Sequence, residues 1–172
     1  MADGGRRQAR ERALSLLYEA ESKEISAVAV LAQLPVDPDP FTVAVLCGVT
    51  EHLRELDRLI SDYARDWTID RMPALDRALL RMAVYELCHR PDVPTGAVIS
   101  EAVELAHRFS TDESGRFVNG MLARIAEAVR PSDPATGSQA EAVDAEAVGA
   151  EAAVDDEAAS GQMVEHGLDQ EW

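Results

Sequence analysis

The stretch "PALDRALLRMAVYELCHRP", Pro73–Pro91, is bracketed by prolines and apolar on nearly every side. Leu75, Leu79, Met82, Ala83 and Leu87 recur at helical spacing along one face, and Leu80, Val84 and Cys88 along another. A helix with that much apolar surface must be covered all round, which places it at the centre of a helical bundle. One residue breaks the pattern. Glu86 sits inside "MAVYELC", where a carboxylate needs a paired cation such as Arg90 or a partner surface.

The flanking segments supply the cover. Upstream, "PVDPDP" (Pro35–Pro40) forbids regular structure, and Asp39 then reads as an N-cap with Pro40 at the first helical position. A helix from there to about Ala64 carries Val45, Val49, Leu53, Leu56, Ile60 and Tyr63 inward. A short helix is expected over Ser26–Leu34. The opening segment "RRQARERALSLLYEAE" (Arg6–Glu21) shows Ala9, Ala13, Leu16, Leu17 and Ala20 as one stripe.

Downstream, "VPTGAVISEAVELAHRF" turns Val98, Ala102, Leu105, Ala106 and Phe109 inward. "STDESG" reads as a loop, and "RFVNGMLARIAEAVR" buries Phe117 or Val118 with Met121, Leu122, Ile125 and Val129. No strand candidate appears. The fold class is all-α, a bundle of about six to seven helices.

Charge divides the chain in the same place as the helical pattern. The net charge of −16 over 172 residues is unevenly spread. Residues 1–130 hold all 16 Lys and Arg against 21 acids, a balance of −5, whereas residues 131–172 hold 11 acids and no Lys or Arg. Two regions are therefore expected: a helical domain over 6–130, and an acidic low-complexity tail over 131–172 whose composition is that of a disordered segment. No run approaches the ~18 apolar residues of a membrane span. Cys47 and Cys88 lack CxxC partners, so a reduced, cytoplasmic protein with no membrane association is expected.

No constellation for catalysis stands out. The four histidines (His52, His89, His107, His166) are scattered, none at the spacing of a metal motif, and no phosphate loop or nucleophile elbow is present. Asp70 and Asp76 read as solvated carboxylates at a helix start. No catalytic residue, metal or cofactor is expected.

The arginines are more informative. Four fall within seven residues, Arg6–Arg12. At ~100° per residue, Arg7, Arg10, Leu14 and Tyr18 share one flank of the apolar stripe, a partly exposed ridge with Arg6 at its start. Guanidinium forks bind phosphate oxygens, and arginine and tyrosine offer flat faces to unstacked bases, as a single-stranded RNA surface requires. A local alternative pairs Arg7 with Glu11 and leaves the face merely solvated.

Three segments in order resemble the NusB family of bacterial transcription antitermination factors. They are the arginine-rich opening, "DRALLRMAVYEL" (Asp76–Leu87), and "ISEAVELAHRFSTDESGRFVNGMLARI" (Ile99–Ile125). The resemblance implies two helical sub-bundles, no enzymatic activity, and binding of boxA RNA in rRNA leader transcripts. NusE, the small-subunit ribosomal protein, is the implied partner, within the RNA polymerase antitermination complex. It also implies an RNA surface at Arg6, Arg7, Arg10 and Tyr18, completed by Glu113, Arg116 and Phe117, with Glu86 facing NusE. A homodimer would compete with RNA for the arginine helix. The alternative is a protein-only interaction module whose basic helix binds acidic protein surfaces.

Overall fold

A computed structural model describes residues 3–64 and 68–131. The tail expected to be disordered lies, from residue 132, outside the described residues. Among the described residues six α-helices follow in order: α1 (Asp3–Ser22), α2 (Ala27–Leu31), α3 (Pro40–Tyr63), α4 (Ala74–His89), α5 (Thr95–Phe109) and α6 (Asp112–Val129). A 3-10 turn, Ile69–Arg71, precedes α4. There is no strand among the described residues, and none of their helices is long and apolar enough to cross a membrane.

Two sub-bundles form, α1–α3 and α4–α6. α4 packs against α1, α3, α5 and α6, the central position its all-round apolar surface demands. Leu79, Leu80, Met82, Ala83, Val84 and Leu87 are all buried there. The expected α1 stripe is buried at every position, from Ala9 to Ala20.

Capping sets the boundaries. Asp39 Oδ1 accepts from the Phe41 amide at 2.7 Å, with Pro40 at the first turn, as its sequence requires. α2 stops at Leu31 rather than Leu34: the Gln33 and Leu34 amides bond three residues back, to Val30 and Leu31, in tight turns that lead into Pro35. α6 begins earlier than expected. Thr111 Oγ1 accepts from the Ser114 amide at 3.1 Å, so "DESG" is the first turn of the helix, with Asp112 and Glu113 at its positive end. Two inward readings are also corrected: Leu53 (38% exposed) and Phe109 (41%) lie at the surface.

α3 and α4 cross closely because position 48 is glycine. A Cβ there would collide with the Tyr85 ring, which is itself buried. Gly48→Val is therefore expected to destabilise the fold by about 1–3 kcal/mol despite valine's better helix propensity, read as a lower thermal midpoint.

Candidate nucleic-acid interface

The arginine helix is built in two layers, one sealed and one open. In the sealed layer Arg10 Nε donates to Glu86 Oε1 at 2.9 Å and Arg10 Nη2 to Glu86 Oε2 at 2.7 Å. Both side chains are almost completely removed from water, and the pair joins α1 to α4. Phe41, at the start of α3, has the Arg10, Arg6 and Arg90 guanidiniums 5.2, 5.8 and 5.0 Å from its ring centroid. Arg90 forks onto Asp92 and holds that carboxyl below its ordinary pKa. Asp92 also lies 3.9 Å from Arg6.

Two expectations are corrected here. Arg10 is not on an exposed ridge, and Glu86 does not present its charge to a partner surface. Each is the other's counter-ion, because α4 packs directly over that flank of α1 and a buried charge requires a partner. Leu14, on the same flank, is buried for the same reason.

Arg6, Arg7 and Tyr18 remain exposed. Arg7 is held by α5: its Nε and Nη2 meet Glu101 at 3.1 and 2.9 Å, and Nη1 meets Glu104 at 2.8 Å. Glu11, the local candidate for Arg7, instead accepts from Arg108 at 2.8 Å. These exchanges tie the N-terminal helix to the second sub-bundle.

Along this side runs an open cleft of about 880 Å³, lined by Arg7, Arg12, Ser15, Thr42 and Arg108 among others. Ser15 also borders a second hollow of about 370 Å³ formed with Leu14, Tyr18, Leu75 and Phe109. One face thus grades from guanidiniums into two exposed aromatic rings. Arg108 connects the two, its guanidinium 5.0 Å from the Phe109 centroid. Arg12, Arg108 and Phe109 are additions the sequence pattern missed, since periodicity had assigned Phe109 to the core.

The start of α6 is fixed beside this face. Ser114 Oγ donates to Asp76 Oδ2 at 2.8 Å, and Leu75, next to Asp76, lines the aromatic hollow. Asp76 is buried, correcting its reading as a solvated acid. Glu113 and Arg116 are exposed, while Phe117 is half-buried and packs against the core.

Chemically, this face offers phosphate-binding forks and stacking surfaces. Elsewhere, the histidines are less scattered than the sequence implies. His52 and His89 come together with Glu55, a set of donors able to hold a metal ion.

Comparison with known proteins gives a consistent result. A model of the NusB family matches residues 7–127. NusB from T. maritima is similar in structure at 34% identity, with a TM-score of 0.65 over 71% of this chain and 90% of that one. A chain from a structure of a plectonemic RNA supercoil matches at 25% identity and a TM-score of 0.67, covering 77% and 99% of the two chains. One from a complex of antitermination factors NusB and NusE with double-stranded RNA shares the fold at 24% identity and a TM-score of 0.61, over 74% and 99%.

Proposed function

Because the chain belongs to the NusB family, we propose that it is an RNA-binding antitermination factor. It takes up a single-stranded boxA-type element of rRNA leader transcripts together with NusE, within the RNA polymerase antitermination complex. Residues 6–130 form the RNA-binding domain and 131–172 an appended acidic tail. The observation that carries this reading is the continuous face from Arg7, Arg12 and Arg108 to the rings of Tyr18 and Phe109. Arg6, Arg116, Glu113 and Phe117 are assigned to the same RNA surface, while Arg10, buried against Glu86, supports the helix that carries it.

RNA must displace the carboxylates that hold Arg7 and Arg108. Exposed ion pairs contribute only ~0–1 kcal/mol, so phosphate oxygens compete readily for the same forks. The acids then act as a polarity filter: a ligand without strong anionic oxygens leaves the pairs closed.

The test is fluorescence anisotropy of a labelled boxA oligonucleotide, with and without NusE. Binding should weaken with salt at a slope of about −2 in log–log form, for about three phosphate contacts. Tyr18→Ala should weaken it about 5–150-fold through one lost base stack, and Arg7→Ala with Arg12→Ala should flatten the slope while helicity is unchanged. Unaltered affinity in both variants overturns the assignment of this face. Capture of NusE without any RNA binding supports the protein-only module instead.

A further inference from the structure

The close α3–α4 crossing at Gly48 and Tyr85 has a second product one helical turn further along. His52 lies four residues after Gly48 on α3, and His89 four residues after Tyr85 on α4, so both project from the same seam. Their imidazoles stack with centroids 3.8 Å apart, and Tyr85 lies beside both, its ring centroid 5.5 Å from that of His89 and 6.3 Å from that of His52. Glu55, at i+3 from His52, turns its carboxylate to both rings: Oε2 is 3.1 Å from His52 Nδ1 and Oε1 is 3.5 Å from His89 Nε2. One donor atom from each of the three residues lies within 4.8 Å of the others.

As bare protein this cluster is poorly satisfied. His89 Nε2 is sealed from water and makes no hydrogen bond. A buried ring nitrogen left without a partner is unfavourable. A divalent cation answers this, since it takes ring-nitrogen lone pairs from both imidazoles and balances the carboxylate.

We propose that His52, Glu55 and His89 form a binding site for a zinc-class divalent transition-metal ion that clips α3 to α4. Two imidazole nitrogens and one carboxylate oxygen are a zinc-type donor set, and the half-exposed Glu55 side leaves the fourth position to water. Ligand atoms around a tetrahedral zinc ion stand ~3.4 Å apart for bond lengths of ~2.0–2.2 Å. Glu55 meets each ring with a different oxygen, at 3.1 and 3.5 Å, and one donor atom per residue lies within 4.8 Å of the others, so the set must draw in slightly around an ion. The rings need only splay from their stack, by side-chain rotation, for their lone pairs to converge. The i, i+3 pairing of a histidine with a carboxylate, met by a ligand from a neighbouring helix, is a geometry that helical bundles use for metals.

The experiment uses the full chain, stripped with a chelator and titrated with ZnCl₂ by calorimetry. Co²⁺ serves as a visible-absorbing probe of coordination geometry. Because the acidic tail and His166 offer weak competing ligands, the comparison is with Glu55→Gln and His52→Gln, which carry the same tail. The expected result is one equivalent of Zn²⁺ bound at least ~100-fold more tightly by the wild type than by either variant. A zinc-dependent rise in melting temperature should be confined to the wild type. Glu55 is exposed, so its glutamine variant keeps the fold and remains a valid control even where a histidine change does not. Isotherms indistinguishable between wild type and Glu55→Gln, whether both bind zinc or neither does, overturn the site.

Discussion

Glu86→Ala should destabilise the protein by about 3–5 kcal/mol, a fall of roughly 10–20 °C in melting temperature for a domain of this size. The loss does not reflect a strong favourable ion pair. It arises because the Arg10 guanidinium stays in a place water does not reach, with its fork empty. Joint replacement, Arg10→Met with Glu86→Leu, removes both charges and keeps the volume, and should cost no more than about 1–2 kcal/mol. Urea melts of Arg10→Met, Glu86→Leu and the double form a thermodynamic cycle, in which near-additive losses would refute the coupling. A practical rule follows for RNA work. Loss of binding in an Arg10 variant is evidence about folding until helicity and melting are matched, whereas Arg7, Arg12 and Tyr18 stand in the open layer.

Arg130→Ala is the second change expected to have a large effect, about 2–4 kcal/mol. From the end of α6 its guanidinium reaches back to the carbonyls of Glu86, Leu87, Arg90 and Val93 at 2.8, 2.7, 2.9 and 2.7 Å. Three of these belong to the last turn and cap of α4; the Glu86 and Arg90 carbonyls already accept the Arg90 and Val93 amides, so the guanidinium gives each a second bond on its other lone pair. The fork closes the central helix and joins it to the last one. Arg130→Lys should recover only a minor part, because a single ammonium cannot span four acceptors that a planar guanidinium meets at once. Equal melting temperatures for wild type and Arg130→Ala would show that water replaces the fork without loss.

The sequence made the bundle readable because its signals are local. Apolar stripes on α1 and α4, the Asp39–Pro40 start and the proline stops each depend on residues within one or two turns. Local reading failed where the partner is remote. Arg10 meets Glu86 across 76 positions, and Arg7 meets Glu101 across 94, so no spacing rule connects them. Phe109 and Leu53 match the apolar period of their helices yet lie at the edges of the stripe, where helix packing decides exposure. The histidine pair was hidden for a related reason: its two rings belong to different helices and meet because a glycine at position 48 lets those helices approach.

The sealed Arg10–Glu86 pair also constrains how this protein can change over generations. Substituting either residue alone passes through a chain with an orphaned interior charge, so each single step away from the pairing carries a stability cost that the joint step avoids. Positions 10 and 86 are thus expected to vary together. An arginine retained for folding therefore stands one turn from an arginine available for RNA. Persistence through descent cannot by itself distinguish the two roles, but the accessibility of each side chain can.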